Sequence, residues 1–311
     1  MDEQQFENQD ECSGSKVQSQ YPSINTEKDS EDQMVLEEIE ASIENINLGF
    51  DIDVLAILDD EEAASAKIEG LKDQLGDVIA ARLFSLANSV YYGGIRSGNI
   101  TRFIDVVIRL GSDMVKSTAI FLALLGFTKS DRLKEVFALN FATSKIAEVI
   151  ANQIGLPNSK KSIVSLGGLF VEMGKVIMLL YAEKEEKILD EVFIEEHHHY
   201  IAGQLIEKWE LPHSLKKIVC HPYFTFVKRD SLALSAIVDM AHHVVSRSFC
   251  EHGKLIIQSS MPDPEGILYT FTIGALLQDQ FDFMGLGSYL KVVPSELSEQ
   301  EKRFCDTHKS P

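Results

Sequence analysis

Residues 162–182, SIVSLGGLFVEMGKVIMLLYA, form a nearly unbroken apolar segment in which Glu172 and Lys175 are the charged residues. A helix that is apolar on most of its sides belongs in the interior of a bundle rather than on its surface. Gly167 and Gly168 lack a β-carbon, which indicates a close approach by a neighbouring helix. The segment therefore predicts a buried central helix that other helices must cover.

The sequence on either side of this segment keeps a helical period. Residues 112–127 (SDMVKSTAIFLALLGF) are almost wholly apolar, and residues 132–156 are amphipathic up to a stop at Gly155. Strand-like alternation persists nowhere, although residues 254–266 fit either a short strand or a loop with two prolines. We therefore predict an all-α fold, a compact multi-helix bundle.

The formal charge of −19 is concentrated at the start of the chain. Residues 1–62 contain 19 Asp and Glu but two Lys, so the rest of the chain is nearly neutral. Residues 1–33 lack apolar periodicity and are expected to be disordered. Residues 34–48 space their aliphatic residues at helical intervals, which predicts a short acidic amphipathic helix. Such a leader is either a solvated tail or a segment that docks on a basic partner or on its own domain.

Charge and cysteine usage argue against several classes of protein. No helix carries a basic stripe for nucleic acid, and the acidic leader repels both nucleic acid and anionic lipid. The four Cys are irregularly spaced without a C-x-x-C pair, unlike a zinc ribbon or a disulfide framework. The longest apolar run, at 118–127, is about half of the roughly 20 residues that a membrane span needs. We expect a cytoplasmic protein with no cofactor and with neither nucleic acid nor membrane as partner.

The histidines are confined to the second half of the chain. All nine lie at or after residue 197, so residues 1–196 can offer a metal ion only carboxylates. Adjacent helical residues point about 100° apart, so the triplet 197–199 cannot face one ion together. His198 or His199 could pair with His213 or His221, but exposed histidines are the favoured interpretation. The doublet 242–243 is predicted to lie at the surface or its boundary.

Polar and aromatic residues gather where the helix over 78–92 ends at Gly93-Gly94. Asn88, Tyr91, Tyr92 and Arg96 form this group. One interpretation is a helix terminus packed by aromatic rings, with Asn88 bonded to the backbone. The other is a notch that recognises a ligand or a partner.

Three segments, in this order, resemble the signatures of HDOD domains, an HD-related output domain of bacterial signal transduction. They are ARLFSLANSVYYGG (81–94) followed by ITRFIDVVIRLG (100–111), LGGLFVEMGKVIMLL (166–180) and HHYIAGQLIEKWELPHSLKKIV (198–219). The resemblance implies an all-α bundle related to the HD phosphohydrolase fold. It covers about residues 50–250, leaving 1–49 as the leader and 251–311 as a partly helical extension that packs on the domain.

The chain departs from the hydrolase pattern at the positions that would hold metal. Val171-Glu172 stands where the relatives have His-Asp, and NFATSK (140–145) contains no His where hydrolases place one. His199 matches the His of the third segment, and Glu210 stands where Gly is common before Leu-Pro. The resemblance therefore implies a degenerate site, at Val171, Glu172 and His199, with no catalytic or metal-binding residues.

These departures predict a non-catalytic regulatory domain that binds a protein or a small ligand. The resemblance implies signalling partners, namely a kinase, a response regulator or a cyclic-dinucleotide enzyme. Alternatives are a residual metal-dependent phosphohydrolase acting on a nucleotide or cyclic dinucleotide, and a cyclic-nucleotide sensor. Position in the family-like signature gives the candidate contacts, which are Arg82, Asn88, Tyr91, Tyr92, Arg96 and Lys175.

Overall fold

The fold is seen in a computed structural model that describes residues 26–60, 62–88, 99–220, 234–248, 255–258 and 273–293. The α-helices in these residues are α1 (Thr26–Glu44), α2 (Ser65–Leu75), α3 (Asp77–Asn88), α4 (Phe103–Leu110), α5 (Ser112–Phe127), α6 (Asp131–Gln153), α7 (Asn158–Phe170), α8 (Met173–Lys184), α9 (Glu191–Lys208), α10 (His213–Val219), α11 (Leu234–Ser248) and α12 (Ile273–Met284). Short 3-10 helices cover Ile52–Leu58 and Gly287–Tyr289.

Two four-residue strands accompany the helices. β1 (Leu255–Gln258) pairs in parallel with β2 (Leu290–Val293), with Leu255 opposite Leu290. β1 falls inside the segment 254–266 for which a strand or a loop had been predicted. Because the pair is so short, the fold is all-α, as the helical period predicted.

The core is organised around α6, which lies against α7, α8, α11 and α12. Edge-to-face aromatic pairs join it to its neighbours, with Phe137 against Phe121 of α5 and Phe141 against Phe281 of α12. Such pairs add about 0.5–1.5 kcal/mol beyond the area that they bury. The residues after 250 that the structure describes thus contribute to the same core.

The apolar segment 162–182 forms two helices and not the single helix that was predicted. α7 ends at Phe170 and α8 begins at Met173, and both turn about the pair Val171-Glu172. Hydropathy gave no sign of this break, because the sequence is apolar on both sides of it.

The same stretch, Asn158–Lys184, is one of two places in the described residues with the length and composition of a membrane span. Its most apolar window has a mean hydropathy of 1.9, and 83% of that window is buried inside the protein. The other is α4 and α5 taken together, but these two helices meet at a bend of 108°. A segment that is buried to this extent belongs to the core of the protein, as the sequence predicted for residues 162–182.

Two glycines bring helices into backbone contact beside this break. A β-carbon on Gly168 would lie 2.5 Å from the backbone of Ser144 in α6, and one on Gly174 would lie 1.7 Å from the carbonyl oxygen of His198 in α9. The close approach predicted at Gly167 and Gly168 is confirmed. At Gly167 the neighbours are side chains, those of Ile218 and Val238.

Relatives commonly have Gly at the position before Leu211-Pro212, which is Glu210 in this chain. The backbone there adopts a conformation that favours Gly. Glu210 has φ +49°, in the left-handed region that a residue with a β-carbon rarely adopts. Its carbonyl oxygen accepts a hydrogen bond of 2.9 Å from Nζ of the buried Lys116. Lys116 also pairs with Asp59 at 3.0 Å. These bonds tie the end of α9 to α5 and to the segment that follows the first 3-10 helix.

The acidic helix near the start of the chain lies on α8 and α9. It begins at Thr26, before the predicted start at residue 34, and its Leu36, Ile39 and Ile43 are buried. Acidic side chains at its edges meet bases and hydroxyls of the domain, as in the contact of Glu44 with Lys208 at 3.0 Å. The disorder expected over residues 26–33 is wrong, because α1 covers them. Residues 1–25 lie outside the described residues, so the disorder expected there stays a prediction.

Replacing Ile39 by Asp is expected to detach α1 while the rest of the domain stays folded. Ile39 has no exposed surface, and a carboxylate there would be buried without a partner. Released α1 should unfold, because its 19 residues contain eight acids and one Lys, and like charges at helical spacing are destabilising. Hydrogen exchange over residues 31–44 should become fast in Ile39→Asp. Met34→Asp is the matched control, since Met34 is 59% exposed on the same helix. Equal exchange in the two variants would contradict the docking.

Candidate functional site

A buried carboxylate marks the place where the resemblance locates the lost metal site. Glu172 is 5% exposed and sits at the N-terminal end of α8, where its own backbone N–H donates to Oδ1 of Asn140 at 3.0 Å. Asn140 begins the segment in which hydrolases place a His. The side-chain amide of Asn140 thus lies in the segment where hydrolases have that His, and it positions Glu172 by accepting a bond from the Glu172 backbone.

Lys175, one turn along α8, supplies the positive charge beside this carboxylate. Its Nζ lies 3.0 Å from Oε2 of Glu172 and 2.7 Å from Oε1 of Glu195 in α9. Burial lowers the pKa of Lys175, but the charge of Glu172 and the bond to Glu195 outweigh it, so the pKa is raised. The two residues of the Gly-Lys pair therefore have different structural roles. Gly174 allows α9 to approach closely, and Lys175 links α8 to α9 through its contact with Glu195.

The histidine that faces Glu172 from α9 is His198, not the predicted His199. Its Nε2 lies 3.6 Å from Oε2 of Glu172, while its Nδ1 lies 3.1 Å from the carbonyl oxygen of Ile194. Burial lowers the pKa of His198, so a neutral ring is favoured, with its proton on Nδ1. Nε2 then presents a lone pair to the carboxylate, and because both groups are acceptors they form no hydrogen bond.

His199 packs its ring beside that of His198, with the ring centroids 3.9 Å apart. Its Nδ1 is buried without a hydrogen-bond partner. The two rings therefore lie side by side, and it is Nε2 of His198 that approaches Glu172.

His242 of α11 is the part of this site that sequence reasoning missed. It lies at the boundary of the surface, as predicted, but its contact with Glu172, at 2.9 Å from Nε2 to Oε1, was not predicted. The side chain is 27% exposed, so it reaches inward from the edge of the domain. No local pattern marks it, because the contact joins residues 70 positions apart in the chain.

These neighbours keep Glu172 ionised. Burial would raise the pKa of Glu172, but the hydrogen bond from His242 and then the charge of Lys175 outweigh it and hold the pKa at about 2. At neutral pH the centre of the cluster is therefore a carboxylate with an ammonium group and an imidazole N–H against it. We call Glu172, Lys175, His198 and His242 the Glu172 cluster.

The residues of the Glu172 cluster do not fit the divalent metal that the hydrolase fold implies. An ion bound by Oε2 of Glu172 would meet the ammonium of Lys175, which is 3.0 Å from that oxygen. The other oxygen already accepts from His242. Across the described part of the chain, no group of three or more His, Cys, Asp or Glu has the arrangement of a metal site. The side chain of Val171, which precedes Glu172 in the chain, has no atom that could bind a metal ion.

Two of the remaining candidate contacts, Asn88 and Arg82, are described by the structure and lie outside this cluster. Asn88 exchanges two hydrogen bonds with the backbone of Ile100, at 2.7 and 3.1 Å, which is the structural role weighed for it. Arg82, also in α3, lies near Gly285, just after α12, and burial lowers its pKa. The other three, Tyr91, Tyr92 and Arg96, lie outside the described residues.

Stability should fall as the pH drops from 6.5 towards 4, because of His199. Burial, and then the neighbouring His198, lower its pKa from 6.5 to about 4. The unfolded chain therefore takes up a proton below pH 6.5 before the folded chain does, and acid favours unfolding over this range. His199→Gln should flatten this part of the curve of unfolding free energy against pH. His213→Gln, at an exposed position, is the matched control for the loss of one imidazole. Parallel curves for the two variants would contradict the assignment.

Comparison with known proteins agrees with this reading of the fold. The family model described as the HDOD domain matches residues 52–223, which is more than half of the chain. No curated protein matches the sequence. The solved structures that resemble it include a candidate metal-dependent phosphohydrolase from Shewanella amazonensis SB2B, with a TM-score of 0.51 and 14% identity over 83% of this chain and 91% of that one. At that identity the likeness supports the fold alone.

Another solved structure is an HDOD domain protein of unknown function from Geobacter sulfurreducens. It is 21% identical over 81% of this chain and 89% of that one, with a TM-score of 0.45. The sequence signatures, the helical bundle and the family match agree, and the chain belongs to the HDOD domain family.

Proposed function

We propose that the chain is a non-catalytic regulatory domain of cytoplasmic bacterial signal transduction, which acts by binding another protein or a small ligand. The observation that carries this proposal is the contact of Lys175 with Glu172 at 3.0 Å. A positive charge of the protein itself stands against the carboxylate that would have to hold a metal ion.

The chemistry of phosphoester hydrolysis supports this assignment. A metal-dependent hydrolase needs an ion that activates water and neutralises charge on the phosphoryl oxygens. Here the imidazole of His242 and the ammonium of Lys175 are engaged by Glu172, so neither is placed to receive a substrate. The cluster instead joins α8, α9 and α11, which is the role of a structural ion pair.

The experiment on catalysis uses the full chain with Mn²⁺, Fe²⁺, Co²⁺ or Mg²⁺. Substrates are nucleoside phosphates, cyclic dinucleotides and bis-p-nitrophenyl phosphate. We expect no turnover above background, and no difference between wild type and Glu195→Gln or Glu172→Gln. Metal-dependent turnover that Glu172→Gln abolishes and Glu195→Gln retains would establish the residual phosphohydrolase instead.

The experiment on binding compares the full chain with a chain that lacks residues 1–49. We propose that the acidic leader modulates the contact with a partner, because α1 covers part of α8 and α9 and carries a strong negative charge. Quantitative affinity capture should enrich a kinase, a response regulator or a cyclic-dinucleotide enzyme, to different extents with the two chains. Calorimetry with cyclic nucleotides tests the sensor alternative. If neither affinity capture nor calorimetry detected binding, the proposal would be contradicted.

A further inference from the structure

A polar cavity of about 350 Å³ opens between α4, the second half of α6 and the start of α7. Its size falls within the range of roughly 300–1,000 Å³ that is usual for small-molecule sites. The polar side chains that line it come from all three helices and are Arg109, Glu148, Asn152, Asn158, Lys161 and Ser162.

This cavity is separate from the Glu172 cluster. It lies at the opposite end of α7, whose 13 residues span about 20 Å at 1.5 Å per residue. An inference about the cavity therefore does not rest on the proposed function.

The described lining of the cavity has a positive balance of charge, although the chain as a whole carries −19. The one carboxylate among these lining residues, Glu148, pairs with Lys145, whose Nζ lies 3.0 Å from both carboxylate oxygens. Arg109 donates from Nη1 to the carbonyl oxygen of Ala87 at 3.2 Å. Neither Arg109 nor Lys161 forms an ion pair with any residue that the structure describes. Two positive charges are thus available to a ligand.

The start of α7 adds partial positive charge to the same place. Pro157 is its N-cap, so the first turn has no side-chain cap, and Asn158, Lys161 and Ser162 of the cavity wall belong to the first five residues of the helix. Unpaired amide groups and the helix dipole favour an anion at such an end, and phosphate is one of the groups bound there.

The wall behind the cavity is a buried polar network. Glu148 is 1% exposed and Lys145 is 5% exposed, and Ser165 donates to Glu148 while bonding Ser144 at 2.9 Å. A buried ion pair is weak evidence of stability, because desolvation offsets most of the attraction between the charges. Such a pair does hold its carboxylate rigidly at the cavity wall, as a binding site requires.

The described lining contains no aromatic ring on which a nucleobase could stack. Amide, hydroxyl and carboxylate groups are instead suited to hydroxyl groups of a ligand. We propose that this cavity binds a small phosphomonoester of a polyol or sugar, with the phosphate between Arg109, Lys161 and the start of α7, and the hydroxyl groups towards the other polar side chains of the described lining.

The test is calorimetric titration of the full chain at low ionic strength with glucose 6-phosphate, inorganic phosphate and glucose. Glucose 6-phosphate should bind, inorganic phosphate should bind more weakly, and glucose should not bind. Lys161→Met should weaken binding about tenfold or more, since it removes a charge-assisted contact to phosphate. Lys160→Met is the matched control, because Lys160 is the exposed neighbour outside the cavity, and its affinity should equal that of wild type.

Several results would overturn the inference. These are no heat of binding with glucose 6-phosphate, equal binding of glucose, or an affinity that Lys161→Met leaves unchanged. Arg109→Gln gives a second measurement at the cavity, and retention of wild-type affinity in both variants would place any bound phosphate elsewhere. None of these outcomes alters the expected behaviour of the Glu172 cluster.

Discussion

Replacing Gly174 by Ala is expected to lower the free energy of unfolding by about 3 kcal/mol or more, at the upper end of the usual cost of overpacking a core. A β-carbon at this position would lie 1.7 Å from the carbonyl oxygen of His198 and 2.6 Å from its carbon. These are backbone atoms of α9, so no change of side-chain rotamer relieves the contact. The two helices would have to separate, which would also pull His198 and Glu195 away from the cluster.

The matched control for this substitution is Gly70→Ala in α2. A β-carbon there meets nothing within 4 Å, so the change should raise stability by up to about 1 kcal/mol through helix propensity. Urea titrations followed by circular dichroism measure both variants against wild type. If Gly174→Ala were as stable as Gly70→Ala, the close packing of α8 on α9 would be wrong.

Replacing Glu172 by Gln is expected to cost about 3 kcal/mol at neutral pH, as when one partner of a buried ion pair is removed. The ammonium of Lys175 would keep only its contact with Glu195, and His242 would lose its charged acceptor. Glu195→Gln is the matched control, because it pairs with the same lysine but is 54% exposed. Surface pairs contribute about 0–1 kcal/mol, so this control should change stability little.

The pH dependence of the difference in unfolding free energy between wild type and Glu172→Gln tests whether the charge of Glu172 is its cause. The pKa of Glu172 is about 2 in the folded protein and ordinarily 4.5. The stabilisation from its charge is therefore complete above pH 4.5 and is lost as the pH falls through 2. The curves of unfolding free energy for wild type and Glu172→Gln should converge over that range. A constant difference between them would show that Glu172 contributes through packing and not through its charge.

Periodicity in the sequence was sufficient to predict the helical bundle, but not its interruptions. The segment 162–182 is apolar throughout, so the break at Val171-Glu172 leaves no mark in hydropathy. The glycines were more informative, because an invariant property of Gly, its missing β-carbon, permits the contact of Gly168 with Ser144. The start of α1 was missed because its first turn, from Thr26, is polar throughout.

The centre of the site could be found from the sequence, whereas its surroundings could not. Comparison of Val171-Glu172 with the hydrolase motif located the carboxylate, since the motif is local. Which histidine faces it depends on the rotation of α9, and one residue of error exchanges His198 for His199. His242 comes from a helix 70 residues away, and only tertiary packing brings it to Glu172. Lys175 was selected by its place in the signature, and its part in the ion pair became apparent only with its distance to Glu172.

The measurement that tests the central claim most directly is the metal content of the full chain. The protein is purified without chelators, incubated with Mn²⁺, Fe²⁺ or Zn²⁺, desalted and examined by native mass spectrometry and elemental analysis. Because the ammonium of Lys175 lies 3.0 Å from one oxygen of Glu172 and His242 is bonded to the other, we predict that no metal is retained in stoichiometric amount. One tightly held ion per chain, lost in Glu172→Gln and kept in Glu195→Gln, would contradict the account.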